Sequence, residues 1–167
     1  LRISVTDRCN FRCSYCMPKD VFGKDYPYLP HSALLSFEEI TRLAQQFLAH
    51  GVRKIRLTGG EPLLRKNIEA LIAQLAQLRT VDGTPPELTL TTNGALLPKL
   101  APQLKDAGLN RVNISLDTLD PALFGKITRL GRLEQTMAGI DAALAWGFEP
   151  VKVNCVVVRR LNQDVAA

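Results

Sequence analysis

One local pattern recurs three times along the chain and limits the folds that are open to it. Each copy is an amphipathic helical stretch, then a glycine, then a short apolar-rich segment, and the glycines are Gly51, Gly108 and Gly147. A glycine just past the last turn supplies the positive φ with which many helices end. A helix that ends at glycine and leads straight into a strand is the repeating unit of parallel α/β folds.

The helix before Gly51 has the strongest sequence signals. Ser36 and Glu39 match a capping box, and an apolar face follows at spacings of three and four, comprising Phe37, Ile40, Leu43, Ala44, Phe47 and Leu48. The same spacing predicts further helices through residues 68–78, 100–104 and 137–144.

Five strands are predicted between these helices, at residues 2–5, 54–57, 88–92, 111–116 and 151–158. Their alternation with helices predicts a parallel sheet with right-handed crossovers. A closed eight-unit barrel needs about 250 residues. The 167-residue chain holds five units, begins inside a strand and ends without a closing element. We therefore expect an α/β fold, a partial TIM-type barrel of parallel strands with outer helices, incomplete at both ends, in preference to an open doubly wound sheet.

Composition excludes several classes of protein. With 46% hydrophobic and 22% charged residues the chain reads as one globular domain. It has no run of about 20 apolar residues and no signal-peptide pattern, which favours the cytoplasm and no membrane partner. The net charge is +5, but the basic residues form no run and aromatics are only 6%. A small anionic ligand fits this pattern better than nucleic acid does.

Three of the four cysteines stand within eight residues, at Cys9, Cys13 and Cys16. This C-x3-C-x2-C spacing lets three thiolates converge from one loop on a single inorganic centre. A [4Fe-4S] cluster usually takes four thiolates, so three leave one iron free for another ligand. A structural zinc or a redox thiol pair fits less well, because the histidines His31 and His50 lie far downstream. The fourth cysteine, Cys155, is predicted to be a small buried residue without a role.

Charged residues within the strands point to a ligand. Arg2, Arg56 and Lys152 occupy strands that a helix-covered parallel sheet would bury, and buried unpaired cations are costly. They are explained if they line a water-filled lumen and bind an anion such as phosphate. Strand ends that are open to solvent are the alternative. Small and polar residues also follow each of the first four strands, at the edge where parallel α/β folds build their sites.

The cysteine spacing, with Tyr15 before the last cysteine, and the segment Thr58-Gly59-Gly60-Glu61-Pro62 resemble the cluster loop and the GGEP motif of the radical S-adenosylmethionine (SAM) superfamily. The resemblance implies that the three cysteines hold a [4Fe-4S] cluster. It implies that SAM binds the open iron and that one electron cleaves its C–S bond to give a 5′-deoxyadenosyl radical. The SAM contacts that it implies are Tyr15, Gly60, Glu61 and Ser115. Ser115 and Asp117, at the end of the fourth strand, can meet the ribose or amino-acid part of SAM, and the alternative is a helix N-cap at Asp117 or Asp120.

Residues 1–18, 56–65 and 91–94 further resemble the GTP 3′,8-cyclases, a family within this superfamily that begins molybdenum cofactor biosynthesis. This implies GTP contacts at Arg2, Arg56, Thr91 and Lys152. It also implies hydrogen abstraction from ribose C3′ and attack of that carbon on purine C8, giving 3′,8-cyclo-GTP. The partners implied are a flavodoxin- or ferredoxin-like electron donor, a downstream cyclic pyranopterin monophosphate synthase and a second copy of the chain in a homodimer.

The chain departs from that family at its end. The family carries a second three-cysteine [4Fe-4S] cluster in a C-terminal region, and no cysteine follows Cys155. We therefore expect residues 1–167 to be a radical SAM core domain that does not turn over alone. Two alternatives stay open: another radical SAM enzyme, peptide-modifying or activating, which has no reason to gather the three cations, and a non-catalytic iron–sulfur protein.

Overall fold

The computed structural model describes residues 1–166, which form alternating strands and helices. The strands are β1 Arg2–Ser4, β2 Lys54–Thr58, β3 Glu87–Thr92, β4 Arg111–Ser115 and β5 Lys152–Asn154. The α-helices are α1 Phe37–Ala49, α2 Ile68–Ala76, α3 Leu97–Asp106, α4 Pro121–Thr128 and α5 Leu133–Ala145, with 3₁₀ turns at His31–Ala33, Pro62–Leu64 and Gln163–Ala166. Within this part of the chain, no helix is long and apolar enough to cross a membrane.

The sheet is wholly parallel, and its spatial order β1-β2-β3-β4-β5 is also the order along the chain. A doubly wound sheet reverses direction at a switch point. Here every crossover advances one strand in the same direction, which is the winding of a β/α barrel. Over residues 1–166 the two edge strands do not pair with each other. The structure confirms the predicted α/β fold and partial barrel.

The two faces of the sheet differ in chemistry because side chains alternate along each strand. The outer face packs against the helices, and its six central side chains are at most 1% exposed: Ile55, Leu57, Leu88, Leu90, Val112 and Ile114. The inner face is polar at every strand position. It comprises Arg2, Ser4, Lys54, Arg56, Thr58, Glu87, Thr89, Thr91, Arg111, Asn113, Ser115, Lys152 and Asn154. An inner face of this kind can meet a ligand.

The predicted helices are present, and a further one was missed. Ser36 and Glu39 form both bonds of the capping box of α1. The missed helix is α4, which is short and has Pro121 in its first turn. The Asp120 carboxylate accepts hydrogen bonds from the backbone N–H groups of Ala122 and Leu123 at 2.8 and 3.1 Å. The helix-capping alternative is therefore right for Asp120.

The fifth strand ends earlier than predicted. β5 ends at Asn154, because the next backbone donors bond to side chains instead of a neighbouring strand. The N–H of Val156 donates to Asp117 at 2.9 Å, and that of Val158 donates to Asn162 at 2.7 Å. The prediction that Cys155 is buried is wrong as well, since it lies exposed in this bend.

Candidate functional site

The cysteine loop, residues 9–16, is anchored to α4 and contributes Phe11 to a small apolar cluster with Leu116, Phe124 and Leu133. Its backbone N–H groups at Arg12 and Ser14 donate to the carbonyls of Thr128 and Ile127, both at 2.9 Å. Phe11 is 4% exposed and packs edge-on against Phe124, with 6.0 Å between ring centroids. The loop is thus held by α4, the helix that was not predicted.

Two polar contacts join the cysteine loop to the carboxyl ends of strands. The amide of Asn93, just past β3, donates to the side-chain oxygen of Asn10 at 2.8 Å. The hydroxyl of Tyr15 donates to the carboxylate of Asp117, just past β4, at 2.7 Å. Because parallel strands all end at one edge, these contacts place the loop across the edge where such folds build sites.

The turn after β2 packs directly against the chain that leads into the cysteine loop. Gly60 N–H donates to the carbonyl of Thr6, and Glu61 N–H donates to that of Arg8, both at 2.8 Å. A Cβ added to Gly60 would lie 2.3 Å from the carbonyl oxygen of Arg8. Only glycine allows this approach, so residue 60 fixes the position of the loop whatever else it contacts.

The three thiols of the loop influence one another. Burial raises the pKa of Cys9, and burial followed by the charges of Cys9, Asp117 and Cys16 raises that of Cys13 to about 12. The raised pKa values keep the thiols of Cys9 and Cys13 protonated until a metal draws off their protons.

The donor set of the loop suits a cluster better than a single ion. Among the described residues, no three His, Cys, Asp or Glu side chains lie close enough together to hold one metal ion. An iron–sulfur cube places its cysteines on separate irons, so their sulfurs stand further apart than around one ion, and thiolates are its usual ligands. Three neighbouring thiols on one loop fit such a cube with one iron left open.

Glu61 is a buried connector between the turn after β2 and the end of β3. Its side chain is 1% exposed, and it accepts hydrogen bonds from Leu63 N–H, Thr92 Oγ1 and Asn93 N–H at 3.0, 2.8 and 2.8 Å. Burial raises the pKa of Glu61, and these hydrogen bonds oppose the rise. Three donors and no acceptor surround the carboxyl, an environment that suits its ionised form. Contact between Glu61 and SAM stays a prediction.

Replacing Glu61 with glutamine should destabilise the fold by about 1–3 kcal/mol even without any ligand, because the new amide would turn a donor toward the donor of Asn93. Chemical denaturation of the Glu61→Gln protein measures this, with Glu149→Gln as the control at an exposed glutamate. Equal stability of the two variants would show that the buried carboxylate is not a structural connector.

Asp117 joins three parts of the site. It is 4% exposed, and its carboxylate accepts from Tyr15 on the cysteine loop and from Val156 after β5. Its carbonyl accepts from the amide of Asn162 at 2.8 Å. Asp117 therefore neither caps a helix nor has a free oxygen pointing to solvent, and it fixes Tyr15 relative to β4 and β5. Hydrogen bonding to the carboxylate contributes to the raised pKa of Tyr15, after burial.

The cations on the inner face divide into paired and unpaired groups. Lys54 bonds Glu87 at 3.2 Å, and Arg111 pairs with the same carboxylate. Arg2, Arg56 and Lys152 have no ion-pair partner within residues 1–166. These unpaired cations are the ones singled out from the sequence, and they leave this face with an excess of positive charge that favours an anionic ligand.

Arg2 and Arg56 are direct neighbours across β1 and β2, whereas Lys152 stands three strands from Arg56, about 14 Å across the sheet. Arg2 and Lys152 are exposed and Arg56 is half-buried, because no helix covers the inner face in the described part of the chain. These exposures fit both the polar lumen and the alternative of strand ends that are open to solvent.

Thr91 on β3 and Lys152 on β5 are the cross-strand neighbours of Asn113 on β4. Ser115 lies two residues further along β4, toward the cysteine loop. The predicted SAM position at Ser115 therefore lies between the predicted GTP positions and the loop. The sequence reading missed Asn10, Asn93, Asn113 and the ion pairs of Glu87. Alternate polar residues, as in Arg111-x-Asn113-x-Ser115, were the available signal.

Comparison with curated proteins finds close relatives over nearly the whole chain. It is 56% identical over 163 residues to GTP 3′,8-cyclase of Acidothermus cellulolyticus, covering 97% of this chain and 44% of that protein. It is 53% identical over 164 residues to the GTP 3′,8-cyclase of Nitrobacter winogradskyi, covering 98% and 46%. The chain thus spans less than half the length of these relatives.

Solved structures share the fold at low identity. Streptococcus suis SuiB bound to its precursor peptide SuiA matches 99% of this chain and 34% of its own, with a TM-score of 0.74 and 19% identity. The [FeFe]-hydrogenase maturase HydG matches 93% of this chain and 34% of its own, with a TM-score of 0.71 and 15% identity. The model of the radical SAM superfamily matches residues 3–166. The chain, with its cysteine loop across the ends of a barrel-like sheet, therefore belongs to the radical SAM superfamily.

Proposed function

We propose that this chain is the core of a cytoplasmic GTP 3′,8-cyclase, the enzyme that begins molybdenum cofactor biosynthesis. The observation that carries the proposal is the set of unpaired cations on the inner face, below the cysteine loop. Identity of 56% to a GTP 3′,8-cyclase over 97% of the chain supports the same reading. Another radical SAM enzyme, acting on a peptide, would have no use for these cations.

In this proposal Cys9, Cys13 and Cys16 hold a [4Fe-4S] cluster whose open iron binds the methionine end of SAM. A cluster and SAM held there would supply, by one-electron reduction, a 5′-deoxyadenosyl radical able to abstract the hydrogen at C3′ of GTP, which would allow C3′ to bond to C8. Tyr15, Gly60, Glu61 and Ser115 are the proposed SAM positions. Gly60 has an exposed backbone at the edge of the sheet, and Ser115 is half-exposed at the end of β4.

The proposed GTP residues are Arg2, Arg56, Thr91 and Lys152. Guanidinium groups on adjacent strands can each offer two N–H donors to phosphate oxygens, and the ammonium adds a point charge from the far side of the face. The side chains of Thr91 and Asn113 lie between these charges. The face thus orients an elongated anion whose reacting end lies toward the cysteine loop.

The remaining partners follow from the same assignment. We propose a second [4Fe-4S] cluster in the part of the protein outside this chain, since the chain spans less than half of its relatives. An electron donor of the flavodoxin or ferredoxin type, a downstream cyclic pyranopterin monophosphate synthase and a homodimer complete the proposal.

Removing the unpaired cations should weaken GTP binding while SAM binding persists. In the full-length protein with its cluster, we expect the Arg2→Ala/Arg56→Ala/Lys152→Ala variant to bind GTP at least about tenfold more weakly. The loss is modest for three charges, because solvent screens exposed cations. Calorimetry measures the GTP dissociation constant. Electron paramagnetic resonance of the reduced cluster, with and without SAM, reports SAM binding separately.

The control for this experiment replaces the exposed outer residues Arg42, Arg79 and Lys99 with alanine, which removes the same charge elsewhere. Unchanged GTP affinity in the inner-face variant would refute the GTP assignment and favour another radical SAM substrate. If the electron paramagnetic resonance signal of the reduced cluster in the unmodified protein does not change when SAM is added, a non-catalytic iron–sulfur protein is favoured instead.

A further inference from the structure

A basic pocket of about 420 Å³ lies beside the cysteine loop. Its lining holds four cations and two aromatic rings and no acidic side chain: Arg12, Lys19, Lys24, Arg129, Phe22 and Tyr28. Asp20 and Asp25 belong to the same segment of chain but lie outside the lining. Four like charges around one concavity create a local positive potential that an anionic partner would relieve.

One wall of the basic pocket is the cysteine loop itself. Arg12 lies between Cys9 and Cys13 in the sequence. Its guanidinium donates to the carbonyls of Cys9 and Phe11, the latter at 2.8 Å, and it lies 5.6 Å from the centre of the Tyr28 ring. A partner in the basic pocket would therefore touch the segment that carries the cluster ligands.

The aromatic side of the basic pocket is held in place before any partner arrives. The ring of Tyr26 lies 4.5 Å from that of Phe22 and 4.8 Å from that of Tyr28. The N–H of Leu29 donates to the carboxylate of Asp7 at 2.7 Å, which ties this segment to the end of β1. Arrangement before binding lowers the ordering cost of association.

We propose that the basic pocket docks an acidic protein that carries one electron to the cluster. The inference rests on the proposed function, whose chemistry consumes one electron for each SAM molecule that is cleaved. One electron leaves the carrier, which is oxidised by one equivalent, and enters the cluster, which is reduced by one equivalent, and no atom is transferred. Lys19, Lys24 and Arg129 are exposed at the rim, which suits a protein surface, whereas a nucleotide site encloses most of its ligand.

Charge reversal at the rim tests the docking. In the full-length protein with its cluster, Lys19→Glu/Lys24→Glu should slow cluster reduction by the hydroquinone of a bacterial flavodoxin about tenfold at low ionic strength, since charge complementarity mainly sets association rates. Stopped-flow absorbance measures the second-order rate constant. The control Arg42→Glu/Lys99→Glu makes the same change of charge on exposed outer helices and should stay within about twofold of the unmodified protein.

Reduction by dithionite, which needs no docking surface, should be equally fast in all three proteins. Flavodoxin rates that do not differ between the rim variant and the control would overturn the docking proposal. Weakened GTP binding in the rim variant, with normal flavodoxin reduction, would also overturn it and mark a nucleotide pocket. Dithionite-driven conversion of GTP tests the proposed function separately, because that reaction does not depend on the carrier.

Discussion

In the full-length protein with its cluster, replacing Gly60 with alanine should lower the SAM cleavage of the proposed function about hundredfold, the scale of loss that follows a displacement of about 1 Å in a reacting group. The new Cβ would lie 2.3 Å from the carbonyl oxygen of Arg8, a backbone atom that cannot rotate away. Relief requires the turn after β2 and the start of the cysteine loop to separate. The hydrogen bonds from Gly60 to Thr6 and from Glu61 to Arg8 would lengthen together.

The measurements for Gly60→Ala are 5′-deoxyadenosine formed per cluster, iron content and thermal unfolding. Gly125→Ala is the matched control, because a Cβ added in α4 meets nothing within 4 Å. The overpacked site should also cost about 1–3 kcal/mol of stability. Normal cleavage by a fully loaded Gly60→Ala protein would show that the turn does not position the loop.

The winding of the sheet could be predicted because it follows from repeated local signals. Apolar residues at spacings of three and four predict the helices. Three of these helices end at a glycine that leads directly into a strand, at Gly51, Gly108 and Gly147. Because five strand–helix units are too few to close a barrel of eight, the sequence predicted a partial barrel. α4 was missed because its eight residues carry a short apolar pattern and begin with Pro121, so only the cap at Asp120 signalled it.

Long-range side-chain contacts could not be predicted in the same way. Tyr15 and Asp117 are separated by 102 positions, and Asn10 and Asn93 by 83. No local pattern specifies such pairs, and the sequence suggested other roles for both Tyr15 and Asp117. Likewise, β5 ends where Asp117 and Asn162 capture backbone donors, whereas Val156 to Val158 read locally as strand. In this segment, tertiary hydrogen bonds override the local strand propensity.

Truncating Asp117 in the full-length protein with its cluster should also impair the proposed SAM cleavage by about hundredfold, through loss of loop position. In Asp117→Ala the hydroxyl of Tyr15 and the N–H of Val156 both lose their acceptor. The cysteine loop and the segment that follows β5 then each lose a hydrogen bond that holds them in place. Asp117→Asn should retain more than a tenth of the rate. Its oxygen can still accept from Val156, and its amide can donate to the hydroxyl of Tyr15 with the direction of the bond reversed.

Asn162→Ala separates a positioning effect from a general loss of stability. Asn162 is 3% exposed and holds the same bend by donating to the carbonyls of Asp117 and Val156, and its side chain forms no hydrogen bond with the cysteine loop. We expect it to lower the free energy of unfolding by about 1–3 kcal/mol yet keep the reduced-cluster spectrum and its response to SAM. Asp117→Ala should change that spectrum at temperatures where the protein is still folded. If the two variants lose activity only in proportion to lost stability, Asp117 supports the fold and does not position the cluster loop.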